Sequence, residues 1–334
     1  MVGKSSPSIE KAYRFSIAPM MDCTDKHFRV LMRQISRRAM LYTEMIVAKA
    51  LKYNKSNESL LDFDEIEHPI ALQIGGDDPE ILSEAARLGE EWGYDEINLN
   101  VGCPSSKVKS GNFGACLMAH PEKVAECIEA IKGRSNIPIT VKHRVGIDDH
   151  DSYEFLHNFV EIVAQAGADR FAIHARQALL KGLNPKENRT VPPLQYEKVA
   201  LLKKRLPNLI IELNGGIETP KDCLKALEIF DGAMVGRAAY KHPLRWKNID
   251  ELIFGERNEE INPSKIIRKI IPYTEKHLQQ GGRLWEIARH LINLVEGVPG
   301  SKKWRNNLSL NVQNGTTDLN ILESAAKELE DIGL

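Results

Sequence analysis

The sequence predicts a (β/α)8 barrel followed by a small all-helical domain. Eight short apolar, β-branched runs alternate with segments of helical spacing over about 240 residues. After about residue 245 the strands stop and only amphipathic helices follow. Polar groups recur at the ends of nearly all the strand-like runs, where a barrel of ~250 residues builds its site. A doubly wound open sheet is the alternative that the same alternation allows.

The strand-like runs lie at 15–19 (FSIAP), 40–46 (MLYTEMI), 69–75 (PIALQIG), 96–101 (EINLNV), 137–142 (IPITVK), 170–174 (RFAIH), 209–214 (LIIELN) and 231–236 (DGAMVG). Most read as continuous, as expected of strands covered on both faces. Helices are predicted at 79–92, 121–132, 153–166, 196–205 and 220–229. Pro79 and Pro121 stand in first-turn positions, each followed by a glutamate that suits a helix N-terminus. Gly93, Gly133 and Gly167 are read as C-terminal caps. Beyond the barrel, 263–280, 284–297 and 319–330 read as helices, which sets a catalytic domain at 1–250 and a helical domain at 251–334.

Composition narrows the class. The 334 residues hold 45 Lys+Arg and 46 Asp+Glu, a net charge of −1, with 42% apolar and 27% charged residues. That is a globular balance and excludes disorder. No apolar run is long enough to span a bilayer, so no membrane partner is expected. The polar N-terminus lacks a signal core, and the five cysteines are scattered without a CxxC pair. A cytoplasmic protein with unpaired thiols is expected, with no disulfide framework, zinc ribbon or other metal.

The strand ends define the site. They bear Pro19, Met20 and Met21; Gln73; Asn98, Asn100 and Cys103; Lys142, His143 and Arg144; His174 and Arg176; Asn214, Gly215 and Gly216; Gly236 and Arg237. Singly, each has a bland reading: a backbone-satisfying amide, a core histidine, an ion-paired lysine, a buried small thiol. Together they deliver polar groups to one rim from seven of eight strands. Glycines after the last two strands suit a phosphate, with Arg237 adding a charge-assisted contact. Gln73 can bond a planar ring edge in both directions, and Lys142 can stabilise negative charge on a reduced flavin. These residues point to a phosphate-tailed planar cofactor, with FMN the best match.

The segments APMMDCTDKHFR, YTEM, LQIGG, INLNVGCPSSKV, VKHRVGID, IHARQALLKGL, LNGGI and MVGRAAY together resemble the tRNA-dihydrouridine synthases. The resemblance covers about residues 15–305; the first fourteen residues match nothing in that pattern. The segments around HARQALLKGLNPKENRTVPPL and ARHLINLVEGVPGSKKWR are most similar to the bacterial A-type subfamily, which acts on uridines 20 and 20a of the tRNA D-loop. The resemblance implies bound FMN, NADPH as reductant, and tRNA as partner of a monomeric enzyme. It implies that Pro19, Met20, Met21, Gln73, Lys142, His174, Asn214, Gly215, Gly216, Gly236 and Arg237 hold FMN. Cys103 would be the catalytic acid, giving a proton to uracil C5 after hydride from flavin N5 reaches C6; a thiol, mostly protonated at neutral pH, suits that role. Asn100, Arg176, Lys186, Arg189, Lys302 and Arg305 would meet tRNA. Lys302 and Lys303 stand where the subfamily pattern has an Arg-Gln pair. The roles of His143 and Arg144 stay open between base, phosphate and tRNA contacts.

Charge distribution agrees with a polyanionic partner. The near-neutral total argues against one, but residues 265–305 carry nine basic and three acidic residues, a local net charge of +6. Two other readings stay open: a flavin barrel acting on a small pyrimidine, and a non-redox tRNA-binding protein on a degenerate barrel.

Overall fold

The computed structural model describes residues 11–312 and 316–334, apart from Lys55, Asn258 and Gly297. Ten of the fourteen N-terminal residues without a family counterpart therefore lie outside the described residues, as does Gly297 at the end of the expected helix 284–297.

The described strands are β1 (Phe15–Ile17), β2 (Met40–Tyr42), β3 (Ile46–Val47), β4 (Ile70–Gly75), β5 (Glu96–Val101), β6 (Ile139–Arg144), β7 (Arg170–His174), β8 (Ile210–Asn214) and β9 (Gly232–Val235). All pair in parallel, in the order β2-β1-β9-β8-β7-β6-β5-β4-β3, and β2 also pairs with β4. Those pairings close eight strands into a (β/α)8 barrel and rule out the open sheet. β3 is a two-residue extra on the edge of β4, pairing Ile46 with Ile74. The run expected as one strand at 40–46 is thus split: both pieces pair with β4, and Thr43–Met45 hold one residue more than the β4 stretch they pass. The run expected at 137–142 is displaced toward Arg144. Pro138 has no N–H for the ladder, and only its carbonyl accepts, from Ile97 N at 3.0 Å.

Helix signals behave as local chemistry dictates. Asp78 caps Pro79–Glu91 by accepting from the backbone of Glu80 and Ile81. Gly93 and Gly167 adopt left-handed φ values of 90° and 102°. Gly133 does not: its φ of −69° is helical, so any residue could stand there. Helices at Lys26–Arg33 and Ser301–Val312 were not anticipated from periodicity.

The strands alternate more strictly than expected. On β5, Ile97, Leu99 and Val101 join the apolar cluster under the outer helices, whereas Glu96, Asn98 and Asn100 face the barrel axis. On β5 the outer face is therefore apolar and the inner face polar, and each inward polar group needs a partner, while Met40, Ala71, Ala172 and Met234 belong to a separate buried apolar cluster. At the lower end Arg170 pairs with both Glu96 and Glu212. Tyr42 Oη donates to Glu96 at 2.9 Å, Ser16 Oγ donates to Glu212 at 2.5 Å, and the guanidinium lies 5.0 Å over the Tyr13 ring.

Helices Pro263–Gln279, Leu284–Leu291, Ser301–Val312 and Asn320–Glu330 form the helical part. Ile266, Leu284, Trp304 and Leu322 belong to the same apolar cluster as Ile97 and Phe171. Helix Ile249–Phe254 crosses the boundary set from sequence, and its Asp250 accepts from Ser36 Oγ and Arg37 N. Among the described residues no helix is long and apolar enough to cross a membrane.

The Arg170 cluster sets a stability test. Arg170→Met leaves two buried carboxylates without their cation, and unfolding in urea should report a loss of ~3–5 kcal/mol. A loss under ~1 kcal/mol would show that the cluster is not a structural keystone.

Candidate active site

Strand register brings the polar ends together. Gln73 is paired with Asn98, Asn100 with Lys142, Arg144 with His174, and His174 with Asn214. Gly236 follows β9, and its Cβ position would lie 3.6 Å from Met20 Sδ at the end of β1. One rim therefore carries Met20, Gln73, Asn100, Lys142, His174, Asn214 and Gly236. Pro19 and Met20 are half-buried there and Met21 is exposed.

Lys142 Nζ donates to Asn214 Oδ1 at 3.0 Å, and Asn214 Nδ2 donates to Met234 O at 2.8 Å, which decides which amide atom meets the lysine. Burial, and next the charge of Arg144, pull the Lys142 pKa down to about 8. Burial and the charges of Arg144, Lys142, Arg176 and Arg237 hold His174 well below the usual imidazole range. It is neutral, and because Nδ1 accepts from Arg176 N at 3.1 Å, its proton sits on Nε2. That nitrogen lies 3.3 Å from the Cβ position of Gly215. Gly215 and Gly216 have φ values of 103° and 73°. A side chain at Gly216 would also run into Leu194 and Tyr196.

Cys103 sits half-buried on the turn after β5. Its N–H donates to Asn100 Oδ1 at 3.0 Å, as does Gly102 N at 3.2 Å, and its carbonyl accepts from Ala115 N at 3.0 Å. Asn100 is thus mostly engaged inside the protein, with its Nδ2 donating to Gln73 Oε1 at 2.9 Å.

The two residues of open role separate cleanly. Arg144 is buried and donates to Gly102 O, Gln177 O and Asn188 O at 3.0, 3.1 and 3.0 Å. It staples the Cys103 turn to the loop after β7, and burial moves its pKa to about 10. His143 points outward between Phe159 and Phe171, at ring separations of 4.9 and 5.9 Å, and donates from Nδ1 to Arg144 O. Burial lowers it to about 4. It belongs to the packing between strand and helix, not to the rim.

Arg176 is half-buried with its guanidinium on Pro192 O. Arg237 donates to Arg189 O at 3.4 Å, which places these two beside His174. Lys186 is exposed on the same loop. Lys302 and Arg305 stand elsewhere, on helix Ser301–Val312 of the helical part. The basic run 265–305 shrinks on inspection. Lys265, Arg268, Lys269, Lys276, Arg283 and Arg289 pair with Glu260, Glu323 and Glu330, Glu259, Asp64, Glu286 and Asp25. Most of those acids come from outside the run, which is why sequence counting missed them. Lys302, Lys303 and Arg305 have no ion pair among the described residues.

Residues that the sequence reading passed over tie this part to the rim. Arg289 donates to Asp22 O at 3.1 Å and Asp25 Oδ2 at 2.6 Å, on the loop that follows β1. His27, His277 and Glu286 bring ligand atoms within 4.8 Å of one another across the same seam. Their hydrogen bonds are made locally: His27 with Tyr273 Oη at 2.8 Å, His277 with Glu286 at 2.9 Å, and Glu286 with Arg283 N.

The rim fits the ligand that the sequence implies. Lys142, Arg144, Arg176, Arg189 and Arg237 converge with no carboxylate partner among the described residues, and such cations call for an anion. A neutral imidazole N–H and two left-handed glycines adjoin them, as a phosphate requires. Gln73, whose amide already bonds Asn98 and Asn100, keeps one N–H and one lone pair for a planar edge, with Cys103 on the next strand end.

Fold and rim define a parallel-barrel enzyme with a polar, cationic mouth. The dihydrouridine synthase (Dus) family model matches residues 16–330, and the chain belongs to that family. It is 52% identical over 314 residues to the tRNA-dihydrouridine(20/20a) synthase of Synechocystis sp., covering 94% of this chain and 91% of that one. The synthase of the same name from Escherichia coli K12 is 47% identical over 319 residues, covering 95% and 92%. Among solved structures, a 2-naphthoyl-CoA reductase complex aligns at a TM-score of 0.54 and 12% identity, over 73% of this chain and 50% of that longer one, a likeness of fold alone.

Lys142 should lose its charge as pH rises through about 8, because its folded pKa lies below the ordinary lysine value. The rate of amine labelling at Lys142, read by peptide mass spectrometry, should rise with that midpoint, and inorganic phosphate should move the midpoint upward. A midpoint above 10 would mean the lysine is ordinary.

Proposed function

We propose that the protein reduces uridines 20 and 20a in the D-loop of tRNA to 5,6-dihydrouridine, with FMN as bound cofactor and NADPH as reductant. The observation that carries the reading is the Cys103 turn, held by Asn100 and Arg144 at a rim where Arg144 and four further cations have no carboxylate partner among the described residues.

FMN, when bound, supplies the hydride that uracil C6 accepts. The chain's residues do the rest. Gln73 presents an amide N–H and a carbonyl to the ring edge. Lys142, held by Asn214, stabilises negative charge beside it. His174 through Nε2–H, Gly215 and Gly216 through the space left by a missing side chain, and Arg237 through its guanidinium receive the phosphate tail. Pro19, Met20 and Met21 with Gly236 line the remaining edge. Cys103 donates its proton to C5 from the side opposite the hydride, and its fixed turn keeps that donor aimed.

Asn100 adjoins the target base, mainly by keeping Cys103 in register. Arg176, Lys186 and Arg189 meet the RNA at the mouth. Lys302 and Arg305 meet it from the helical part, so residues 1–250 do chemistry and 251–334 hold the tRNA. The enzyme works as a monomer in the cytoplasm. The uridine must leave its stack to reach the thiol, at a cost of a few kcal/mol.

Cys103→Ala should retain flavin absorbance and lose dihydrouridine formation by about 10²–10⁴-fold. Unimpaired turnover would remove the thiol from the chemistry. A second test concerns the partner. Lys302→Ala with Arg305→Ala should weaken tRNA binding and flatten its salt dependence by about two units of slope, while flavin content stays constant. An unchanged slope would place the RNA elsewhere.

A further inference from the structure

Five side chains inside the barrel form one hydrogen-bonded line that ends at Cys103. Thr140 Oγ1 donates to Glu96 Oε1 at 2.5 Å and accepts from Asn98 Nδ2 at 2.8 Å. Asn98 Oδ1 accepts from Gln73 Nε2 at 2.7 Å, and Gln73 Oε1 accepts from Asn100 Nδ2 at 2.9 Å. Asn100 Oδ1 closes the line on the N–H groups of Gly102 and Cys103.

The direction of this line is set by chemistry at both ends. Glu96, paired with Arg170 and accepting from Tyr42, offers only acceptor oxygens. The two backbone N–H groups offer only donors. Every amide between them therefore has one orientation that satisfies all its neighbours. Reversing one amide forces reversal of the next, and a reversed line fails at both ends. Water cannot repair the failure, because Glu96, Asn98, Thr140 and Gln73 are each at most 1% exposed.

We propose that Thr140 and Asn98 are positioning residues for the reaction. Neither touches cofactor or substrate in the reading above, on which this inference rests. They hold the Gln73 amide in one orientation toward the cofactor and hold the Cys103 turn in register by keeping Asn100 Oδ1 aimed at its N–H groups. Valine at 140 has the shape of threonine without the hydroxyl. Asn98 Nδ2 then has no acceptor, so the forward line already carries a defect at its lower end. The reversed line then fails at one end more than the forward line and no longer at two, so the gap between them shrinks by about one hydrogen bond and the reversed state, which leaves the Gly102 and Cys103 N–H groups unpaired, is visited more often.

The test is hydrogen exchange on the flavin-loaded enzyme, alongside turnover on tRNA. In Thr140→Val, exchange of a peptide spanning Gly102 and Cys103 should rise about tenfold, the counterpart of one hydrogen bond, while peptides from β7 and β8 keep their rates. The kcat should fall by a similar factor with KM for tRNA unchanged. Thr140→Ser keeps the hydroxyl and loses only a methyl group, so it should restore both. If the valine protein yields no folded enzyme, Asn98→Leu cuts the line one link higher and carries the same expectations. Unchanged exchange at Gly102 and Cys103, uniform acceleration across the barrel, or failure of serine to rescue would each overturn the proposal. If the unaltered enzyme proved inactive on tRNA, the functional reading would fall, and the exchange data would still decide the line.

Discussion

The constraint on which this molecule depends is that a dry barrel cannot hold a polar group without a partner. β5 carries Glu96, Asn98 and Asn100 toward the axis, and each must find its complement on a neighbouring strand. The lower end solves the problem with charge, Arg170 between Glu96 and Glu212. The middle solves it with neutral amides and a hydroxyl. The mouth leaves charge uncompensated: among the described residues five cations stand there without a carboxylate partner. This gradient, from saturated floor to unsaturated rim, gives the barrel a direction. A ligand completes at the top what side chains complete below.

The same logic explains why the fold was largely legible in the sequence. Strand and helix alternation is a local signal, and seven of the eight barrel strands lie within the runs that carried it, with β6 running two residues past its own. Boundaries moved where a local rule outranked the pattern, as at Pro138, whose missing N–H delays β6. Helix Ser301–Val312 left no strong periodic trace because Lys302, Lys303, Arg305 and Asn306 crowd its first turns. Most strands are buried on both faces, as their continuous runs predict, although Glu-Ile-Asn-Leu-Asn-Val alternates strictly. What that alternation could not say is which face was the inside.

The site was legible as a set of residue types and not as a geometry. Lys142, His174, Asn214 and Gly236 sit at strand ends, so their convergence follows from topology. Arg144 and His143 are adjacent in sequence and opposite in place, since neighbours on a strand face opposite ways. The basic run at 265–305 misled in the other direction. Its acids come from distant elements, and only three-dimensional pairing separates the neutralised cations from Lys302, Lys303 and Arg305. Of the glycines read as helix caps, Gly93 and Gly167 take left-handed backbone and Gly133 does not.

Arg144 carries a last consequence. A carboxylate would have held its guanidinium in place and cancelled its charge in the same act. Three backbone carbonyls hold it and cancel nothing. Stiffness and field strength, which compete at most ion pairs, are therefore decoupled at this one residue. The turn bearing the thiol stays rigid whether or not an anion is present, and an arriving polyanion meets a potential that no rearrangement has first to uncover.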